Sequence, residues 1–146
     1  MRRLACRGLL LMLAMFALDA CSVSKPYVLP ANTELARLNL RAGVDYWICA
    51  VGVGEESLMR DAEGYTAIPA GRIVSIIAAH QAQTDINAGP CYATVSFVPK
   101  AGSSYYQDMD WQGEKCTSLI YREVSAKEGG LELEASARSG GDCGRN

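Results

Sequence analysis

Cysteines are the residues best suited to chemistry, and their spacing indicates disulfides rather than catalysis or metal binding. The 146-residue chain contains six cysteines. Four of them follow one another at intervals of 42, 25 and 27 residues: Cys49, Cys91, Cys116 and Cys143. None forms a Cys-x-x-Cys motif, so neither a thioredoxin-type redox site nor a zinc knuckle is indicated. Such widely spaced cysteines are typical of an exported, disulfide-bonded domain, and we expect two disulfides.

Four cysteines allow three connectivities, and sequence alone does not select among them. We favour Cys91 with Cys116 and Cys49 with Cys143. The first pair would bracket a predicted hairpin, and the second would pin the C-terminal tail to the core. We expect no metal and no cofactor apart from a covalent lipid, for which the reasons follow below.

One histidine and a cluster of carboxylates are the other candidates for chemistry. His80 is the only histidine, and Asp85 follows it five residues later in the sequence. A catalytic triad would also need a nucleophile, and no Gly-x-Ser-x-Gly elbow supplies one. Asp108 and Asp110 share one face of a predicted strand and, with Glu114, could bind a cation or act as acid and base. A solvated edge strand accounts for the same charges. We therefore predict no catalytic residue, and a hydrolytic enzyme is the least favoured function.

The aromatic residues are more informative, because seven tyrosines and two tryptophans are many for a small domain. Tyr105 and Tyr106 are adjacent, so in a strand one of them faces outward unless both faces are covered. Exposed tyrosine and tryptophan are typical anchors of protein interfaces. We predict that a partner binds at Tyr105, Tyr106, Trp111, Asp108 and Asp110.

Short segments of alternating polarity predict the strands that position these residues. Strands are predicted over 34–40, 45–53, 65–68, 72–80, 91–98, 104–111, 115–124 and 131–137. The first of these could also be helical. Residues 72–80 are apolar on both faces, which is typical of a central strand, although a helix is the competing interpretation. The segments flanking Pro99–Gly102 predict a hairpin.

Seven or eight short strands separated by turn signals favour an all-β fold. We predict a single antiparallel β-sandwich over residues 33–137, with a small β-barrel as the alternative. The glycine-rich residues 138–146 are predicted to form a flexible tail.

The N-terminus has the features of an export signal. Three arginines precede the eleven uncharged residues 8–18, a run too short to span a bilayer comfortably as a helix. Leu18-Asp19-Ala20-Cys21 resembles the lipobox of bacterial lipoproteins, although Asp19 departs from the pattern, which has a small neutral residue there. The resemblance implies that residues 1–20 are removed and that Cys21 carries lipid. Residues 21–32, which are polar and contain Pro26 and Pro30, are predicted to form a tether. A plain secretory signal that leaves Cys21 free to pair is the alternative.

Removing residues 1–20 leaves eleven basic and fifteen acidic side chains, a net charge of about −4 with histidine neutral. This mildly acidic balance argues against nucleic acid as a partner, since nucleic-acid binding needs a basic surface. It also argues against attraction to anionic lipid by charge. The covalent lipid is therefore the expected link to a membrane, because two or more acyl chains hold a protein stably.

Several motifs together resemble small proteobacterial lipoproteins with immunoglobulin-like or transthyretin-like sandwiches. They are Ile68–Gly71 before an apolar strand, Cys91 before Phe97–Gly102, the Tyr105-Tyr106 pair and Cys116. The expected anchor, the disulfide-bonded β-domain and the lack of a catalytic motif favour a non-enzymatic envelope protein. It would bind another envelope protein, as an accessory of an envelope or secretion assembly, or a cell-wall component. Ser22 resembles the residue of outer-membrane lipoproteins, which implies an outer-membrane protein facing the periplasm.

The second functional hypothesis is an inhibitor of an exogenous cell-wall hydrolase. The segment SSYYQDMDWQGEKC resembles the Tyr-then-Trp-x-Gly hairpin of periplasmic lysozyme inhibitors, but the order of the cysteines departs from theirs. The sequence does not predict the oligomeric state.

Overall fold

The computed structural model describes residues 24–50, 54–80, 89–112, 115–125, 130–141 and Cys143. The predicted signal peptide and Cys21 lie outside these residues, as do Asp85 and Glu114. Among the described residues, no helix is long and apolar enough to cross a membrane.

Strands are the only regular secondary structure among the described residues, and they form two five-stranded sheets. The strands are β1 (Leu35–Asn39), β2 (Asp45–Ala50), β3 (Glu56–Ser57), β4 (Tyr65–Pro69), β5 (Val74–His80), β6 (Cys91–Phe97), β7 (Ser104–Gln112), β8 (Lys115–Glu123), β9 (Leu131–Leu133) and β10 (Arg138–Ser139). The first sheet has the order β4-β1-β7-β8-β9, and the second has the order β10-β6-β5-β2-β3. The all-β sandwich is confirmed, and the sheets are not closed into a barrel. Within it β1 and β7 run parallel, unlike the antiparallel neighbours around them.

Alternating apolar residues explain how the sheets meet. In β1 the strand interpretation is correct, since Ala36 and Leu38 are buried while their neighbours face outward. Phe97 of the second sheet packs edge-on against Tyr105 of the first, with ring centroids 5.1 Å apart. The backbone N–H of Lys100 donates to the Tyr105 hydroxyl at 2.9 Å, so this core tyrosine also satisfies its polar atom.

The predicted hairpin of residues 91–98 and 104–111 is wrong. β6 and β7 belong to different sheets, and the turn at Pro99–Gly102 carries the chain from one sheet to the other. The hairpin is formed instead by β7 and β8, which pair from Tyr105–Arg122 to Gln112–Lys115. Alternating polarity shows which side chains of a strand point into the core. Two strands of a hairpin and two strands that face each other across the core have the same alternation, so the pattern does not distinguish the two arrangements.

Both predicted disulfides are confirmed: Cys91–Cys116 and Cys49–Cys143. The reason given for the first was wrong, because Cys91 begins β6 in the second sheet and Cys116 lies in β8 of the first. The bridge joins the two sheets at one end of the sandwich instead of closing a hairpin.

The predicted boundary at residue 137 falls too early. β10 adds Arg138 and Ser139 to the second sheet beside β6, and the Gly140 N–H donates to the Thr94 carbonyl at 2.8 Å. A Cβ at Gly141 would collide with the Ser75 and Ser96 hydroxyls, so the chain needs glycine here. The C-terminal segment thus lies on the outer face of the second sheet and ends in the bond from Cys143 to Cys49. It covers Ser75 of β5, which confirms a central strand buried on both faces.

The predicted tether also ends earlier than residue 32. The Ser57 N–H donates to the Lys25 carbonyl at 2.9 Å, and the Tyr27 N–H donates to the Ser57 carbonyl at 2.8 Å. Tyr27 packs against the core, and Lys25 Nζ lies 3.1 Å from Glu56 Oε1. The polar, proline-containing composition predicted a free linker, but these residues extend the edge of the second sheet.

Candidate interaction surface

A row of side chains crosses the whole outer face of the first sheet. The strand registers align Tyr65 of β4 with Asn39 of β1, Asn39 with Tyr106 of β7, Tyr106 with Tyr121 of β8, and Tyr121 with Leu133 of β9. We call this set the tyrosine row. Its three tyrosines are half-buried, and no described strand covers the face they share. A sheet face that carries several partly exposed aromatic rings is well suited to contact a partner.

The orientation of β9 reverses ordinary patterning at one end of this row. Leu131 and Leu133 are 49% and 61% exposed, whereas Glu134 is buried. The Glu134 carboxylate accepts hydrogen bonds from the backbone N–H of Ser136 at 3.0 Å and from its hydroxyl at 2.9 Å. Exposed leucines and a buried glutamate are the reverse of the usual pattern, in which apolar side chains are buried and charged side chains face solvent. Such local inconsistencies are concentrated where a surface has a function.

The charged groups that contact Tyr65 are paired within the protein. The Tyr65 hydroxyl donates to Glu123 Oε1 at 2.9 Å, and this hydrogen bond raises the pKa of Tyr65. The Arg37 guanidinium lies 4.3 Å above the Tyr65 ring and 2.7 Å from Glu63 Oε2. The bond to Glu63 raises the pKa of Arg37. These contacts hold the Tyr65 ring in a fixed place between two charged groups.

A second cluster closes one end of the sandwich, which we call the tryptophan end. His80 of β5 and Trp111 of β7 stack with ring centroids 4.2 Å apart. The Arg41 guanidinium lies 5.2 Å from the Trp111 ring, and its Nη1 is 3.6 Å from Asp108 Oδ1. Because His80 pairs with Cys91 and Trp111 with Cys116, the stack lies beside the disulfide. The stack and the disulfide together join the two sheets.

The structure divides the predicted partner-binding residues. Tyr106 belongs to the tyrosine row, and Asp108 and Asp110 follow it on the same outer face of β7. Trp111 is 40% exposed at the tryptophan end, where Arg41 connects it to Asp108. Tyr105 was wrongly included, since it is completely buried in the core and cannot contact a partner.

Sequence reasoning missed four contributors to this surface. They are Tyr65, Tyr121, Leu131 and Leu133. The alternation of leucine with glutamate in β9 was visible, but it does not reveal which side faces outward. The alignment of tyrosines from separate strands depends on register, which the sequence did not supply.

Two of the carboxylates considered for catalysis, Asp108 and Asp110, lie on the outer face of β7, and Glu114 lies outside the described residues. The Met109 N–H donates to Asp108 Oδ1 at 3.0 Å, and the Gln112 side-chain amide donates to Asp110 Oδ2 at 3.2 Å. Among the described residues, Glu55 lies near the sulfurs of Cys49 and Cys143, a grouping compatible with a metal ion. Those sulfurs are bonded to each other, so they are not thiolates able to coordinate one.

Tyr46, near the tryptophan end, gives a pH-dependent prediction. Burial raises its pKa to about 12, against the backbone N–H of Arg41, which donates to its hydroxyl at 3.2 Å. In the unfolded chain tyrosine ionises near pH 10, so the folded state retains the proton longer and loses stability as the pH rises above that value. We expect this group to cost about 1 kcal/mol of unfolding free energy by pH 11.

Denaturant titrations of the wild type and of Tyr46→Phe at pH 8 and pH 11 would measure this cost. The decline with pH should be smaller in the variant by that amount. An identical decline in both proteins would contradict the prediction.

Comparisons of this chain with protein-family models, with curated proteins and with solved structures found no significant match. The interpretation of the surface therefore depends on its own geometry and chemistry.

Proposed function

We propose that this protein is a lipid-anchored envelope protein that acts as a non-enzymatic binding module at the outer membrane, facing the periplasm. Its partner is another envelope protein or a cell-wall component, which it binds through the tyrosine row and the adjoining Leu131 of β9. The anchor is a lipid on Cys21. The signal-like N-terminus and the lipobox-like LDAC segment support this anchor.

The outward leucines of β9 are the observation that carries the binding role. Leu131 and Leu133 continue the line of half-buried tyrosines to the edge of the sheet. Contact with a partner would remove this apolar surface from water, which stabilises a complex by roughly 25 cal/mol per Å² before the costs of association are counted. The paired charges around Tyr65 and the Arg41–Asp108 pair would form the polar margin of the interface.

Leu133→Glu tests the binding role directly. Because Leu133 is largely exposed, the substitution should leave the fold intact while placing a carboxylate within the proposed apolar contact. We expect at least a tenfold loss of affinity, equivalent to about 1.4 kcal/mol. Binding would be measured by cosedimentation with purified cell wall and by quantitative cross-linking to envelope proteins.

Met59→Glu is the matched control. Met59 is 69% exposed and follows β3, outside the first sheet, so the same change of charge should leave binding unaltered. Equal losses in the two variants would indicate a general effect of charge and would refute the role of the tyrosine row. Failure to recover any reproducible partner after cross-linking would count against the binding module itself.

A further inference from the structure

The N-terminal segment joins the domain only a short distance after the proposed lipid site. Two contacts hold Lys25 against the domain. Its carbonyl accepts a hydrogen bond from the Ser57 N–H at 2.9 Å, and its side chain forms an ion pair with Glu56. Four residue steps separate Cys21 from Lys25, a distance of at most about 14 Å in an extended chain. A lipid on Cys21 would therefore hold the domain close to the bilayer and would restrict its orientation.

Strand directions show which end of the sandwich lies nearest this point. Pro26 runs parallel to Ser57, and β3 is antiparallel to β2, so Lys25 lies toward the end where β2 finishes. Ala50 there pairs with Val74, the first residue of β5. We call this the proximal end. The surroundings of the Tyr27 hydroxyl agree with this placement. Burial raises the pKa of Tyr27, and Arg72, which lies just before β5, is close enough to lower it.

The tryptophan end lies at the opposite end of the same strands. β5 begins at Val74 in the proximal end and finishes at His80, which stacks on Trp111. Its seven residues span about 20 Å. The two ends are thus separated by most of the length of the sandwich.

Two adjacent turns form the surface of the proximal end. The Gly71 N–H donates to the Pro99 carbonyl at 2.8 Å, which places the 69–73 and 98–102 turns side by side. Ile73 is 58% exposed on the first turn, beside Arg72, and Lys100 is exposed on the second. Neither turn contains an acidic residue. An exposed apolar side chain flanked by cations suits the interfacial region of a phospholipid bilayer.

We propose that the proximal end, through Ile73, Arg72 and Lys100, rests on the lipid surface and that the tryptophan end points away from it. This inference depends on the proposed lipid anchor at Cys21, which supplies the affinity while the two turns set the orientation. The strands then stand away from the bilayer, and the tyrosine row, which crosses them, runs along it at a nearly constant height.

Tryptophan quenching in vesicles tests the orientation. Full-length lipidated protein would be reconstituted into phosphatidylethanolamine and phosphatidylglycerol vesicles that carry a nitroxide on the lipid headgroup. Trp47→Phe leaves Trp111 as the sole reporter, and Trp47→Phe/Trp111→Phe/Ile73→Trp places the sole reporter at the proximal end. We expect the fraction of fluorescence quenched to be at least twofold greater for the tryptophan at position 73 than for Trp111.

A longer tether provides the matched control. Twelve glycine and serine residues inserted between Ser24 and Lys25 should keep the protein on vesicles but reduce the difference between the two reporters. Equal quenching at both ends of the vesicle-bound protein, or stronger quenching of Trp111, would overturn the orientation and leave the anchor standing. Protein that neither floats with vesicles nor carries lipid mass would refute the anchor itself, and the orientation with it.

Discussion

Replacing Cys49 and Cys143 together by alanine is expected to lower the free energy of unfolding by about 4–5 kcal/mol. The bond between them closes a loop with a sequence separation of 94 residues. In the chain-entropy description, a long loop restricts the unfolded ensemble strongly, so its loss favours unfolding. The bond also fixes the end of the C-terminal segment that covers Ser75. Without the bond, this segment would be held less firmly against the second sheet.

Cys91→Ala/Cys116→Ala is the matched comparison. That bridge spans 25 residues, and the same reasoning gives a loss of about 3–4 kcal/mol. Urea titrations under non-reducing conditions would measure both variants, with the m-value followed for changes in the unfolded state. A larger loss for the 91–116 pair would contradict the chain-entropy argument and would indicate that joining the two sheets matters more than loop length.

Two neighbouring tyrosines are expected to behave in opposite ways when each is changed to alanine. Tyr105→Ala should destabilise the fold by about 3–5 kcal/mol, because it empties a fully buried aromatic position against Phe97. It also removes the hydroxyl that accepts from the Lys100 N–H. Tyr106→Ala, on the outer face, should cost about 1 kcal/mol or less.

The binding assay should give the reverse order. Tyr106 lies at the centre of the tyrosine row, so its loss should weaken partner binding at least tenfold, equivalent to about 1.4 kcal/mol. Tyr105→Phe, which keeps the ring in the core, should bind normally. Tyr92→Ala adds a control, since Tyr92 is an exposed tyrosine of the second sheet. If Tyr92→Ala weakened binding as much as Tyr106→Ala, the proposed surface would be wrong.

The all-β class and the presence of two disulfides could be predicted because they depend on local patterning and on the cysteine count. Alternating polarity gave most strands, including the central β5, whose two apolar faces indicated cover on both sides. The four cysteines indicated two disulfides but left three pairings open. These features need no knowledge of how distant segments meet.

The partners of the strands could not be predicted in the same way. β6 and β7 have the alternation and the intervening turn of a hairpin, yet they face each other across the core, as Phe97 and Tyr105 show. The tyrosine row likewise depends on the registers of four strand pairs, each of which could shift without changing the sequence pattern. The exposure of Leu133 follows from how β9 aligns with β8, because Tyr121 opposite it already faces outward.

The nested order of the disulfides has a consequence for how the chain matures. As the polypeptide is made from its N-terminus, Cys49 and Cys91 are complete before either native partner. Oxidation in order of appearance would join those two, which is not a native pair. Cys49 must stay unpaired, or exchange partners, until Cys143 has been made. Correct maturation therefore depends on delayed oxidation or on isomerisation of an early bond.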